Sequence, residues 1–193
     1  IADATLYYVG AAGGDPSVAS NWNTTAPAAC GAGDASAAPG SADTIRFDAD
    51  CDNGPTQTAD MTVTGITFDS GWAGTYNMGN YNLTRTSSIG SITIRGTFIH
   101  GSGTLTTTTT GSGLTMGGAT DTFTGGSGTV DIQGTSNSAV NFTDGTVTLP
   151  NTFKTKGGFV LNANIDSFSN NSGEVEYYGT TTGFMSIGSS WSL

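Results

Sequence analysis

Three aspartates stand on alternate residues in Asp48-Ala-Asp50-Cys-Asp52-Asn-Gly54, the spacing by which a calcium loop gathers hard oxygen ligands. The glycine comes one position late for such a loop, and Ala59 stands where a glutamate would complete it. The segment reads as an acidic, solvated loop beside the disulfide, with a structural calcium site held by Asp48, Asp50 and Asp52 as the alternative, and no other cofactor is expected. Asp131 and Glu176 form a second candidate pair. Set two rungs apart in a stacked sheet they would be separated by roughly 9 to 10 Å, near the upper edge of an inverting glycosidase pair. The competing reading is two outward-facing strand carboxylates. No Lys, Arg or His cluster is evident beside them, and His100 has no Ser or Cys partner in view and reads as a surface residue. No catalytic residue is assigned, and the chain reads as a non-enzyme.

Cys30 and Cys51 flank a Gly/Ala/Asp-rich loop in a chain with no other thiol. Such a pair is most simply a disulfide, worth roughly 3 kcal/mol in the chain-entropy picture, and it implies an oxidising compartment. The rival reading is zinc held by both cysteines and the distant His100. Asn23, Asn82, Asn141 and Asn170 each begin an Asn-X-Ser/Thr sequon and are glycosylation candidates. Gly103-Thr-Leu-Thr-Thr-Thr-Thr-Thr110 offers a ladder of hydroxyls of the kind that ice-binding or sugar-binding faces use, although threonine is also simply a good strand residue. Trp72, Tyr76 and Tyr81 would stack on sugars if exposed, and core or corner packing is their other fate.

What positions these residues is a repeat. Residues 113–142, moved forward by 45 positions, align without a gap on 158–187, with eight identities that include Asp121/Asp166, Phe123/Phe168, Val130/Val175 and Gly134/Gly179. A fixed period marks a stacked architecture in which each unit buries its apolar face against its neighbours. Short alternating runs fall at 61–68, 75–84, 91–100, 103–110, 128–133, 145–149, 158–163 and 173–178, separated by Gly, Asn, Asp and Ser. The expected fold is all-β, a right-handed parallel β-helix of about eight rungs of roughly 20 to 22 residues, so that the period spans two rungs. An antiparallel β-sandwich or jelly roll is the alternative. The expected divisions are an N-terminal strand at 1–10, a disulfide-containing cap or insert at 11–60, and the solenoid at 61–193.

Composition narrows the partners. Only 10% of the 193 residues are charged, and five Lys and Arg against fifteen Asp and Glu leave a net charge of −10. Nucleic acid and anionic membrane both require a basic surface, so neither is expected. No run is long enough to cross a membrane, and the start at Ile1 without Met suggests a removed leader.

One resemblance extends this reading. An apolar strand, then Gly-Gly-Asp, then Ala-Ser-Asn-Trp at 19–22, then Pro-Gly-Ser-Ala-Asp-Thr-Ile at 39–45, resembles the opening module of long secreted bacterial surface proteins of the autotransporter and adhesin type. Ser-Gly-Glu-Val-Glu-Tyr-Tyr-Gly-Thr at 172–180 resembles a repeat common in such proteins. The resemblance implies a parallel β-helix with a non-catalytic, surface-exposed role. The second copy of the repeat ends at Leu193, where the first continues into the strand Gly145–Leu149, so the expectation is a joint at this end. Strand 1–10 of a following subunit would fill it, with Ile1, Leu6, Tyr7, Tyr8, Val9, Trp191 and Leu193 at the interface, giving an open head-to-tail filament. The expected function is a structural subunit of an extracellular filament or surface layer that partners itself. The alternative is an adhesin or carbohydrate-binding module that meets glycans.

Overall fold

The computed structural model describes residues 3–26, 29–180 and 185–187. Strands of two to five residues follow one another: β1 (Thr5–Tyr8), β2 (Trp22–Asn23), β3 (Thr44–Phe47), β4 (Met61–Val63), β5 (Gly65–Phe68), β6 (Thr75–Asn77), β7 (Leu83–Arg85), β8 (Ile92–Ile94), β9 (Thr97–Ile99) and β10 (Thr104–Thr107). After them come β11 (Leu114–Met116), β12 (Thr122–Thr124), β13 (Thr129–Ile132), β14 (Val140–Phe142), β15 (Gly145–Thr148), β16 (Thr152–Thr155), β17 (Phe159–Leu161), β18 (Ile165–Ser169), β19 (Glu174–Tyr177) and β20 (Met185–Ile187). Every third strand stacks in parallel on its predecessor, which produces three walls: β6-β9-β12-β15-β18, β4-β7-β10-β13-β16-β19 and β8-β11-β14-β17-β20. The fold is a β-solenoid of about six turns.

The sequence dictates this through parity. In β8 and β9 the buried residues run Ile92, Ile94, Gly96, Phe98 and His100, every second position, straight through the corner at Gly96. Inward residues then pile up in register: Met61, Leu83, Leu105, Val130, Phe153 and Val175 on one wall, and Tyr76, Phe98, Phe123, Val147 and Phe168 on another. Each fully buried Phe or Leu in these columns contributes roughly 1.5–3 kcal/mol of transfer free energy. The 45-residue period spans two rungs, since Val130 pairs with Phe153 and Phe153 with Val175. Rungs take up to about 26 residues, and 39 residues separate Leu6 from its partner Ile45, so the stack has about six turns rather than eight. Runs expected as single strands, such as 61–68, 75–84 and 91–100, are each two strands on different walls joined by a corner.

The N-terminal end is a cap. Its sheet has the order β2-β1-β3-β5, with β2 antiparallel to β1, and β5 packs beside β8 so that this sheet leads into the third wall. Tyr8, Trp22, Phe47, Phe68 and Trp72 form one aromatic cluster, with Phe47 and Phe68 stacked at 4.9 Å. The Trp22 indole N–H donates to the Pro16 carbonyl, and the Trp72 indole N–H to that of Cys51, so both rings are buried with their polar atoms satisfied. Cys30 and Cys51 form the disulfide that closes this region.

Strand β1 is paired within its own chain. It is hydrogen-bonded on one edge to β2 and on the other to β3 of its own chain. Leu6, Tyr8 and Val9 are buried there, and the half-buried Tyr7 ring lies under the Arg46 guanidinium at 5.8 Å. Ile1, Trp191 and Leu193 lie outside the described residues.

Candidate functional site

The alternation that fills the core leaves two surfaces with distinct chemistry. On the outer face of β13, β16 and β19 the register sets Asp131, Lys154 and Glu176 in one column. Lysine thus stands between the two carboxylates that spacing had placed on one face. Lys154 Nζ meets Glu176 Oε2 at 2.7 Å, and this ion pair raises the lysine pKa. Asp131 accepts hydrogen bonds from the Tyr178 hydroxyl and, at 2.9 Å, from the Gln133 amide. Burial, then that contact with Asp131, pushes the Tyr178 pKa upward, and Lys156 lies 5.5 Å from the Tyr178 ring centre. Both carboxylates are committed to neighbours, an arrangement that ties rungs together.

The second surface is the outer face of β9, β12, β15 and β18. Its in-register outward positions form two columns, Thr97, Thr122, Thr146 and Ser167 beside Ile99, Thr124, Thr148 and Ser169. Apart from Ile99 every position carries a hydroxyl, on strands about 4.8 Å apart along the stack and at residues roughly 6.6 Å apart along a strand. None of these paired positions carries a charge. The threonine run 103–110, expected to be the ladder, turns a corner instead. Thr107 and Thr109 are buried, while Thr108 and Thr110 donate to the carbonyls of Arg85 and Ser88 in the previous rung.

The remaining candidates separate. Asp48 is buried and accepts from the Asp50 N–H at 3.0 Å, whereas Asp52 accepts from the Ala73 N–H at 2.9 Å. Their bonds lead apart, and among the described residues no three His, Cys, Asp or Glu side chains form a group able to hold a metal. Trp72 and Tyr76 are core residues, and Tyr81 alone of the three aromatics is exposed. His100 is fully buried rather than on the surface. Its Nε2 lies 3.0 Å from the Thr129 carbonyl, and burial lowers its pKa to about 4.

Of the sequon asparagines, Asn23 donates to the Ala32 carbonyl and exposed Asn82 donates to Asp60 at 2.9 Å. Asn141 sits half-buried on the outer face of β14, and Asn170 caps a turn by accepting from the Ser172 N–H.

The ends of the stack differ. The N-terminal end carries the antiparallel strand β2 and the disulfide-closed cap. At the other end β18, β19 and β20 are the last strands of their walls among the described residues. Val175 is only partly buried there, although every residue below it in its column is buried. The chain matches no family model, no curated protein and no solved structure.

Proposed function

We propose that this chain is a structural module of an extracellular filament or surface layer, joined head to tail by strand addition at the β18–β20 edge. The observation that supports this reading most is the asymmetry of the two ends among the described residues, one closed by the cap sheet and the other formed by β18, β19 and β20, with Val175 only partly buried. An exposed parallel edge is a template for another strand. The cap sheet leads into the same wall that β20 ends, so β1 of a second copy would arrive in parallel on that wall. There β1 would exchange its pairings with β2 and β3 for a pairing with β20 of the neighbour. The disulfide fits an oxidising, extracellular setting, and the resemblance to autotransporter-type surface proteins points the same way. No helix of the described residues is long and apolar enough to cross a membrane.

The test is light scattering of the Val175→Lys variant beside the parent chain. A lysine there stays solvated on an open edge and would be buried by an added rung. The reading expects assembly to be lost while the melting temperature changes little; unchanged assembly would remove that edge as the joint.

A second reading, an adhesin or carbohydrate-binding module, is favoured by the uncharged hydroxyl columns on β9, β12, β15 and β18. Replacing Thr122 and Thr146 by Asp should abolish glycan capture if that face binds. Retained capture would count against it.

A further inference from the structure

Three arginines occur in the chain, and two of them pair conventionally: Arg46 with Asp69 and Arg95 with Asp121. The third, Arg85, points into the solenoid. It is only 3% exposed, and among the described residues no carboxylate meets it. One of its amino groups, Nη2, donates to the Ile89 carbonyl in the corner that follows β7. The other, Nη1, is buried with no hydrogen-bond partner. In the next rung Thr107 is its register partner, also inward and fully buried, and the Thr107 hydroxyl likewise has no partner. Two orphan polar groups thus belong to register partners on neighbouring rungs, whose strands stack about 4.8 Å apart.

Nothing else along the column relieves them. Val63 lies on one side of Arg85 and Ile132 on the far side of Thr107, both fully buried and apolar. Two glycines border these groups, and a side chain at either would crowd them. A Cβ at Gly113 would come within 2.6 Å of the Thr107 hydroxyl, and one at Gly90 within 3.4 Å of Arg85 Nη2. A guanidinium cannot shed its charge to escape burial as a lysine can, and a buried cation is tolerated only when it is compensated. Water would bring a dipole without the missing charge.

We infer that a single monatomic anion of the halide class binds inside the solenoid between Arg85 Nη1 and the Thr107 hydroxyl. Both groups donate to it, and two donors suit one small ion. The ion enters through the corner at Thr86–Ser91, where Ile89 is 76% exposed and an open groove lined by Thr86, Ser88 and Thr108 adjoins. Desolvation of Arg85 with no charged neighbour to offset it agrees with this assignment.

The experiment is crystallisation of the intact chain in sodium bromide, with anomalous diffraction measured at the bromine edge. Thermal melts in bromide and in gluconate at equal ionic strength accompany it. The inference expects an anomalous peak within hydrogen-bonding reach of both atoms, and a melting temperature that rises with bromide in the parent and not in Arg85→Met. Thr107→Val, which keeps the charge, should need about tenfold more bromide for the same rise, the worth of one hydrogen bond. This second variant decides the matter if Arg85→Met does not fold. A water without anomalous signal at that position, or equal bromide dependence in the parent and either variant, overturns the inference.

Discussion

Tyr76 and Phe98 stack face to face, with ring centres 5.3 Å apart and planes 9° apart, because they are register partners on successive rungs. Phe123 continues the stack at 5.8 Å from Phe98. Phe98 therefore has an aromatic neighbour on both sides, and Phe98→Ala should cost about 3–5 kcal/mol. Urea unfolding measures this; a loss below about 1 kcal/mol would mean that the column is not packed as described.

The cap depends on its disulfide. Cys30 and Cys51 are 21 residues apart, so replacing both by alanine should destabilise the chain by roughly 3 kcal/mol. Comparison of urea midpoints checks it. A midpoint unaltered by the replacement would show that the cap and the solenoid unfold independently.

His100 should make stability fall in mild acid. Its folded pKa, about 4, lies below the ordinary 6.5 because burial disfavours the charged ring. Below pH 6.5 the unfolded chain takes up a proton that the folded chain refuses, so its contribution is complete above pH 6.5 and is lost progressively as pH falls toward 4. The loss is at most about 3 kcal/mol, at 1.36 kcal/mol for each pKa unit. In His100→Gln the difference in stability between pH 7 and pH 4.5 should shrink; an identical pH profile would contradict the burial of this ring.

Gly101 sits at a corner with φ +73°, and a Cβ there would lie 1.9 Å from the Gly79 carbonyl oxygen of the rung before. Gly101→Ala should cost about 2 kcal/mol or more, since both the backbone conformation and the contact oppose it. Gly111, where an added Cβ meets nothing within 4 Å, is the control and should tolerate alanine. Equal melting temperatures for the two variants would sink the close stacking of corners.

The stack itself was readable because in-register stacking repeats apolar identity: Phe123 and Phe168, or Val130 and Val175, occupy the same wall two rungs apart. Several strands escaped notice, among them Leu114–Met116, Val140–Phe142 and Thr152–Thr155, because three or four residues between glycines give too short a pattern. Lys154 was missed between Asp131 and Glu176 because its rung lies between the two copies of the repeat and is not itself repeated. His100 and Arg85 carried a usable signal. Each has the parity of its buried neighbours, Phe98 and Leu83 respectively, and their polarity argued against reading them as core. The position of β1 could not be read, since pairing across the 39 residues between Leu6 and Ile45 leaves no periodic trace.

Negative-stain electron microscopy of native material across a concentration series tests the proposed assembly most directly. The account predicts uniform fibres with a regular axial repeat that lengthen as concentration rises. Dispersed single rods at every concentration would contradict it.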